Sequence, residues 1–422
     1  MTEAMTAFAN MSRVKHVVSK IGSGKTPSGG SETYLEEGVI FLRSQNIHFG
    51  GLKLEDVAYI SDVTHQEMDN TRLIANDILL NITGASLGRA TRFPAGTGEA
   101  NVNQHVCILR PKGSIDPRFL EYAISAHTTW MQISSLQVGG NRDGLNFEQV
   151  GNLRIPTPAL NEQRRIADFL DAETTRIDRL RALQTEAQKR IDERDTALRD
   201  TLIDTLFNNV GEIPFRRLLT TIEQGTSPQC EAVPCEPGEW GVLKLSAVKM
   251  GAFNPRENKR LPNDIEPIRA NEVRPGDFLV TRANTPNLVG DVAVVNRACE
   301  KLLLPDLIYR VGLSTSVIPE FVAQVAMSSR VRTFIQSVAR GSSQSMVKLR
   351  GEDIRTWPIP AATIAQQEAL VVRIQEGTSA TASLRTTMNR QSALLAERRQ
   401  ALITAAVTGQ FDVSSASGRG VE

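Results

Sequence analysis

Two long stretches of the chain carry apolar residues at helical spacing. The first follows Pro158 and continues in steps of mostly three and four residues, with no further proline until Pro214. Its apolar stripe consists of Ile166, Phe169, Leu170, Ile177, Leu180, Ala187, Ile191, Leu198, Leu202 and Leu206. The second stretch is less regular, because Gly377 and a Thr/Ser-rich segment weaken its early turns. The pattern predicts one long helix over residues 159–209 and another over residues 361–413.

Each predicted helix has one apolar face that needs a partner. A helix of about 45 residues is ~65–70 Å long, and in water it is stable mainly when that face is buried. The simplest partner is the matching face of the other helix, so we expect an antiparallel two-helix coiled coil. The alternative is that each helix packs on its own neighbouring domain.

The segments that precede the two helices have a different pattern. They mix short β-type runs, such as Val39–Leu42, Ile78–Asn81 and Phe278–Thr281, with turns rich in Gly and Asn. This pattern predicts two compact mixed domains over residues 1–158 and 210–360, and a flexible tail over residues 414–422. The expected fold class is α+β, with two mixed domains separated by two long helices in a pseudo-twofold internal repeat.

The repeat is visible in the sequence itself. Four pairs of segments match in the same order at offsets of 200 to 202 residues. They are Ile21–Pro27 with Ile222–Pro228, Phe41–Ile47 with Val242–Val248, Asn76–Leu79 with Gly276–Leu279, and Ile155–Pro158 with Trp357–Pro360. Ordered matches at a nearly constant offset indicate a duplication of one domain and its helix.

Composition narrows the class of protein. The apolar fraction is 41% and the formal net charge is +1, so a DNA-binding face would have to come from local placement of cations. Most of the cations are arginines, whose planar fork suits phosphate and guanine. The sequence has no segment of membrane-spanning length and no secretory signal pattern, so we expect a cytoplasmic protein. Four scattered cysteines predict reduced thiols.

The candidate catalytic motifs are incomplete. Gly24 and Lys25 resemble the end of a phosphate-binding loop, but Ser19 stands where its first glycine belongs, and we expect a flexible turn here. A metal-dependent nuclease motif is not formed, because Glu257–Lys259 comes before its acidic partner Asp306 instead of after it. The motifs of amino-methyltransferases are also missing. We therefore expect a binding protein with no catalytic residue and no metal ligand.

Several segments, taken together, resemble one known family. The opening turn Ile21–Pro27, the strand and turn Phe41–Ile47, and the run from Asp77 to Arg89 follow one another in the first domain. The junction Ile155–Gln163 then enters the first helix, and Ala406–Val413 ends the second. With the alternation of domain and helix, the chain resembles from end to end the specificity subunits of type I restriction-modification systems.

Two segments depart from this pattern. The second junction reads Ala365–Glu368 where the family usually has Glu-Gln, and the second domain has Thr285–Gly290 where the first has Ala85–Gly88. These departures leave the residue-by-residue correspondence between the two halves open, but they do not change the predicted architecture.

The resemblance implies a sequence-specific binding subunit for double-stranded DNA. Each domain would read a short half-site, the helix pair would set the unread spacer, and unlike domains would give an asymmetric bipartite target. The resemblance also implies two modification subunits carrying S-adenosylmethionine, which methylate adenine, and restriction and translocase subunits that use ATP and Mg²⁺ for cleavage. This chain is expected to bind no cofactor itself.

Polar side chains in the loops after predicted strands are the candidates for DNA contact. In the first domain they are Lys25, Arg43, Ser44, Gln45, Asn46, Thr83, Ser86, Arg89, Asn141 and Arg142. In the second domain they are Lys244, Ser246, Arg282, Asn284, Thr285, Arg340, Ser342, Ser343, Gln344 and Lys348. The three tryptophans, Trp130, Trp240 and Trp357, are expected in cores.

Other interpretations remain open on the sequence. The chain could serve a methylation-only system or another defence complex. It could be a coiled-coil scaffold whose domains bind protein, or a nucleotide-hydrolysing enzyme that uses Lys25. Salt-dependent binding of duplex DNA would separate the first group from the scaffold, and nucleotide binding would identify the enzyme.

Overall fold

The computed structural model describes residues 10–137, 144–296, 300–343 and 346–413, and at Ser342 and Ser343 it describes the backbone only. The candidates Asn141, Arg142 and Gln344, and the tail expected over residues 414–422, lie outside these ranges. The chain divides into two units. Unit 1 comprises residues 1–184 and 389–422, and unit 2 comprises residues 185–388.

The elements are numbered along the chain. The helices are α1 (Val14–Val17), α2 (Asp62–Glu67), α3 (Pro117–Ser125), α4 (His127–Ser135), α5 (Phe147–Asn152), α6 (Leu160–Val210), α7 (Pro319–Ala326), α8 (Ser329–Val338), α9 (Gly351–Arg355) and α10 (Ile364–Thr408). The strands of unit 1 are β1 (Met11–Arg13), β2 (Val18–Ser23), β3 (Val39–Leu42), β4 (Ile47–His48), β5 (Gly51–Leu52), β6 (Ala58–Ile60), β7 (Ile78–Asn81), β8 (Ala90–Arg92), β9 (Ala100–Val102), β10 (Val106–Pro111) and β11 (Arg154–Pro156). The strands of unit 2 are β12 (Glu212–Pro214), β13 (Leu219–Gln224), β14 (Gly241–Leu243), β15 (Val248–Lys249), β16 (Ala252–Phe253), β17 (Asn258–Arg260), β18 (Phe278–Thr281), β19 (Ala283–Asn284), β20 (Val292–Val294), β21 (Leu302–Leu303), β22 (Ile308–Leu313), β23 (Arg340–Ser343), β24 (Met346–Lys348) and β25 (Pro358–Pro360).

The two units share two larger sheets of the same topology. Each has a four-stranded antiparallel sheet, in the order β2-β10-β7-β8 in unit 1 and β13-β22-β18-β20 in unit 2. Each also has a three-stranded sheet, β6-β3-β9 or β17-β14-β21, with one antiparallel and one parallel pairing. The repeat found in the sequence is therefore a repeat of topology.

The central strand of each four-stranded sheet is apolar because both of its faces are covered. In unit 1, Ile78 and Leu80 of β7 lie in one core with Phe119 of α3, whereas Leu79 lies in a second core with Ile108. Successive side chains of a strand point to opposite faces, so an unbroken apolar run fits a strand between two layers.

The two long helices pair antiparallel within each unit. In unit 1, Asp178 of α6 contacts Arg399 of α10, and Gln184, further along α6, contacts Gln391, which comes earlier in α10. In unit 2, Asp192 contacts Arg385, and Asp195 contacts Thr381, in the same antiparallel sense. The expected fold class is confirmed: α+β, with mixed domains and two long helices that pack antiparallel.

The helices also belong to the domain cores, as the alternative interpretation proposed. Leu170 of α6 and Val407 of α10 lie in the core of unit 1, and Ile203 of α6 and Ile374 of α10 lie in the core of unit 2. Both interpretations of the helical stripes were therefore partly right. Among the described residues, no helix combines the length and apolarity needed to cross a bilayer.

The structure corrects the alignment of the repeat at the second junction. Met11 of β1 pairs with Pro156 of β11, and Glu212 of β12 pairs with Pro360 of β25. Pro156 therefore corresponds to Pro360, at an offset of 204, and not to Pro358 as the sequence alignment assumed. The reason is that two further residues are inserted in unit 2 before this junction.

A buried glutamine at the start of each long helix confirms the corrected alignment. The Oε1 of Gln163 accepts the amide of Asp116 at 2.8 Å, and its Nε2 donates to the carbonyl of Pro158 at 2.9 Å. Gln367 accepts the amide of Ile318 at 2.9 Å and donates to the carbonyl of Ala362 at 2.9 Å. The second junction, which departs from the family pattern in sequence, thus keeps this glutamine and its contacts.

Candidate nucleic-acid interface

The loop after β3 contains four of the predicted contact residues, and one of them is structural. Asn46 is 2% exposed; its amide donates to the carbonyls of Lys53 and Asp56 at 2.9 and 3.2 Å, and its Oδ1 accepts the amide of Arg43 at 2.9 Å. Because these bonds use the polar atoms of Asn46 to shape the loop, we do not retain it as a DNA contact.

The other side chains of this loop reach its surface in both units. Gln45 donates to Asp56 at 3.0 Å in unit 1, and Ser246 donates to Glu257 at 2.6 Å in unit 2. Arg43 donates to the Asp56 carbonyl at 2.9 Å. Lys244, at the matching position of unit 2, has no side-chain partner among the described residues. The two loops thus share a backbone path and each carries one cation, which is paired with Asp56 in unit 1 and has no described partner in unit 2.

A polar cluster, edge cluster 1, forms in unit 1 where two predicted segments meet. The Thr83 hydroxyl lies 2.7 Å from Nδ1 of His105, and Nε2 of His105 lies 3.1 Å from the Gln104 amide. Thr26 donates to Oε1 of Gln104. Edge cluster 1 comprises Thr26, Thr83, Gln104 and His105, and it brings the Lys25 turn beside the loop after β7.

The sequence prediction missed Gln104 and His105. They lie directly before β10, and their counterparts before β22 are Asp306 and Leu307. Only an alignment of the two repeats at an offset of 202 would have marked this position as one where the halves differ.

Unit 2 has a counterpart, edge cluster 2, with different chemistry. Ser227 donates to Oδ1 of Asp306, and the amide of Asp306 donates back to the Ser227 hydroxyl at 3.2 Å. The Arg282 guanidinium donates to the Asp306 carbonyl at 3.3 Å and lies 6.0 Å from the centre of the Tyr309 ring. Edge cluster 2 therefore consists of Ser227, Arg282 and Asp306.

A small sheet in unit 2, β19-β24-β23, brings further predicted residues together. Lys348 pairs with Ala283, next to Arg282 and Asn284, and on its other side it pairs with Arg340. Lys348 and Arg340 are both exposed, and neither contacts an acidic side chain in the described chain. Two cations on directly paired residues repel one another unless an anion lies near them, which makes this sheet suited to phosphate.

The remaining unit 2 candidates lie at the same edge. Thr285 follows β19 and is exposed, and Ser342 and Ser343 belong to β23. In unit 1 the matching pairing is a single bridge between Thr83 and Gly144, next to residues outside the described ranges.

The loop after β7 ends in a residue that differs in kind between the units. Arg89 of unit 1 is half-buried and has no side-chain partner in the described chain, and Ser86 lies three residues before it. Asp291 takes the same place in unit 2, where it accepts the amides of Met250 at 2.8 Å and Val292 at 3.0 Å. Burial raises the pKa of Asp291, although these two amides lower it. The Arg89 side chain is thus available to contact a ligand in unit 1, whereas the Asp291 carboxylate stabilises the backbone in unit 2.

The tryptophans only partly follow the prediction. Trp357 is fully buried against Phe215, as expected, but Trp130 is 42% exposed. The Trp130 ring lies against Gly88, where an added Cβ would come within 2.9 Å of it. Trp130 thus packs against the loop that carries Arg89, and part of its ring remains exposed.

The Lys25 turn is not arranged as a phosphate-binding loop. The amides of Gly24 and Lys25 donate to the carbonyls of Val106 and Val102, both at 3.2 Å, so they are not available to phosphate. A Cβ on Gly24 would lie 1.7 Å from the Val102 carbonyl oxygen, and one on Gly225 would lie 1.7 Å from that of Leu304. These two glycines therefore allow a close backbone approach that is repeated in both units, and the turn is held in place rather than flexible.

The side chains of these loops and clusters are suited to binding a ligand. In the described part of the chain, no group of three or more His, Cys, Asp or Glu side chains could hold a metal ion. The side chains of five candidate cations have no hydrogen-bond or salt-bridge partner among the described residues: Lys25, Arg89, Lys244, Arg340 and Lys348. Unpaired cations beside hydroxyl and amide groups suit contact with phosphates and with base edges.

Comparisons with known proteins agree with this chemistry. A family model described as the type I restriction modification DNA specificity domain matches residues 10–189. The specificity subunit of the type I restriction enzyme EcoEI from Escherichia coli is 31% identical over 170 residues, which are 40% of this chain and 28% of that subunit. The specificity subunit of EcoKI from Escherichia coli strain K12 is 21% identical over 399 residues, which are 90% of this chain and 84% of that subunit.

A solved structure shares the fold over most of the chain. It comes from work on complex assembly and conformational transition of the type I R-M system, and it matches with a TM-score of 0.60 and 16% identity over 97% of this chain and 100% of that chain. The domain match over residues 10–189, the relatives and the shared fold agree: this chain is similar to the DNA specificity subunits of type I restriction-modification systems.

Proposed function

We propose that this chain reads an asymmetric, bipartite target in double-stranded DNA and directs partner subunits to it, without catalysing a reaction itself. Unit 1 would read one half-site and unit 2 the other, while the pair formed by α6 and α10 would set the unread spacer between them. The observation that supports this most is the repeated scaffold, which presents edge clusters of different chemistry in its two units.

The side chains of the clusters suit different bases. A guanidinium such as that of Arg282 pairs with the O6 and N7 acceptors of guanine, and amides such as those of Gln104 and Asn284 pair with adenine. The unpaired cations would contact phosphates, which position the protein without reading the sequence. Because the two edge clusters differ, their half-sites should differ as well.

The partners follow from the family and belong to the proposal. Two modification subunits carrying S-adenosylmethionine would methylate adenine in the target, and restriction and translocase subunits using ATP and Mg²⁺ would cleave unmodified DNA. This chain would bind neither cofactor. Such a complex would act in the cytoplasm.

Salt-dependent DNA binding tests the proposal. The full chain, assembled with a cognate modification subunit, is expected to shift duplex DNA, with log K falling linearly as log salt rises. A folded complex that fails to bind duplex DNA at low salt would contradict the proposal and favour a protein-binding scaffold.

A further inference from the structure

The helix pair of unit 2 contains a buried carboxylate. Asp195 of α6 is 3% exposed, although it lies in the seam between the two helices. Its Oδ2 accepts the Thr381 hydroxyl at 2.8 Å and lies 3.0 Å from Nη2 of Arg385, both on α10. Its Oδ1 accepts Nη1 of Arg194 at 3.1 Å. A buried charge is tolerated only where a cation and hydrogen-bond donors meet it, so Asp195 depends on Thr381 and Arg385 of α10 in addition to Arg194 of its own helix.

A close approach of the helices adds a second constraint nearby. A Cβ on Gly377 of α10 would lie 2.3 Å from Cδ2 of Leu198 on α6. Arg194 donates to the Gly377 carbonyl at 3.4 Å. Glycine in a helix interior is unfavourable relative to alanine, and here it provides space for Leu198. The same stretch of α10 is thus fitted to α6 in shape as well as in charge.

Sliding the helices by one heptad would remove the partners of Asp195. Ile374 or Met388 would replace Thr381, and Thr378 or Ser392 would replace Arg385. Neither shifted register offers a cation of α10 at these positions, so Asp195 would keep only Arg194 of its own helix, whose side chain is 58% exposed. Apolar side chains in the seam, by contrast, would be packed against other side chains after such a shift, without leaving a buried charge unpaired. A single polar residue in a coiled-coil seam is known to specify register in this way.

The helix pair of unit 1 discriminates less between registers. Arg399 contacts Asp178 at 3.3 Å, but the Asp178 side chain is 43% exposed. Gln184 donates to Gln391 at 3.1 Å, and both groups are uncharged. Water can solvate an exposed carboxylate after a shift, so the penalty there is smaller.

We propose that Asp195, with Thr381 and Arg385, is the register lock of the helix pair. It determines which residues of α6 and α10 face each other. This inference rests on the proposed function. It means that one buried carboxylate determines which spacer length the subunit accepts between its half-sites.

The test measures register in the full chain by double electron–electron resonance. Spin labels are placed on cysteines at the exposed positions Glu193 and Ser383, with Cys230, Cys235 and Cys299 replaced by serine. The wild-type seam should give one distance. The variant Asp195→Ile, Thr381→Ile, Arg385→Leu should add a second population, displaced along the helix by ~10 Å for one heptad.

A matched control removes an ion pair that cannot define register. Glu186 and Arg190 contact each other at 3.0 Å within α6, so Glu186→Ile with Arg190→Leu should leave the single distance unchanged. If the triple variant does not fold, Asp195→Asn keeps the shape and removes the charge, and the second population is expected there. A single, unchanged distance in the variant that folds overturns the register lock.

Mapping of methylated sites separates this proposal from the proposed function. A second distance together with a relaxed spacer supports both. If a second distance occurs while the accepted spacer stays the same, the register lock holds and the role of the helices in spacing the half-sites fails.

Discussion

Edge clusters 1 and 2 occupy the same place on the same scaffold but differ in chemistry. Gln104 and Asp306 both precede the strand next to the Gly24 or Gly225 turn, and each accepts a hydroxyl from that turn. In unit 1 the neighbour of this residue is an imidazole, and in unit 2 it is the Arg282 guanidinium. The comparison shows that the polar side chains at this edge can change completely while the sheets that carry them keep the same topology.

The lengths of the loops change at the same places as the chemistry. Asn81 and Thr281 accept the amides of Gly88 and Gly290, so the loop between them is two residues longer in unit 2. Two more residues are added between α8 and α9, in the segment that contains β23 and β24, before the junction marked by Pro156 and Pro360. Both insertions lie in segments that carry candidate contacts, whereas the four-stranded sheet and the sheet of β3 or β14 keep their strand order.

The largest expected difference between the units is in a buried ion pair. Asp77 is fully buried and receives two bonds of 2.9 Å from Arg110, whereas Asp277 is 20% exposed and lies 3.6 Å from Arg310, which also contacts Glu223. We expect Asp77→Asn to lower the free energy of unfolding by about 3 kcal/mol or more, and Asp277→Asn by about 1 kcal/mol or less. Thermal and urea unfolding measure both, and equal losses would contradict the contrast in burial.

A smaller effect is expected for the arginines that are candidates for base contact. Arg89→Ala should weaken binding by about 1–3 kcal/mol through the unit 1 half-site, and Arg282→Ala by a similar amount through the other. Binding is measured with duplexes in which one half-site at a time is scrambled. Each variant should lose affinity only while its own half-site is intact; a loss that is independent of both half-sites would identify phosphate contacts instead.

The smallest effect is expected for the exposed lysines. Lys25→Ala and Lys348→Ala should weaken binding to all duplexes alike and reduce the slope of log K against log salt by about one each. An unchanged slope in either variant would remove that lysine from the interface. Lys189→Ala, on an exposed face of α6, serves as the control.

Much of the fold followed from the sequence, because its patterns are long and repeated. The stripe from Ile166 to Leu206 predicted a continuous helix, and α6 has 51 residues. The runs at residues 78–81 and 278–281 are the central strands β7 and β18. The weak early turns expected near Gly377 are helical in the structure, because pairing with Leu198 compensates for the propensity of glycine.

The candidate site was harder to predict, because side-chain burial depends on tertiary contacts. Asn46 is a polar loop residue of the kind expected to contact DNA. Its side chain is instead buried and stabilises its own loop through hydrogen bonds. Gln104 and His105 were missed because they carry no motif and become neighbours of Thr83 only in the folded sheet. The remaining candidates stay predictions until DNA contacts are measured.

Mapping of methylated adenines in DNA exposed to the assembled complex tests the central claim most directly. The account predicts two short, unlike half-sites at a fixed separation, and exchange of residues 83–89 for residues 283–291 should alter one of the two and leave the other intact. A palindromic or continuous target, or a substitution that alters both half-sites together, would contradict it.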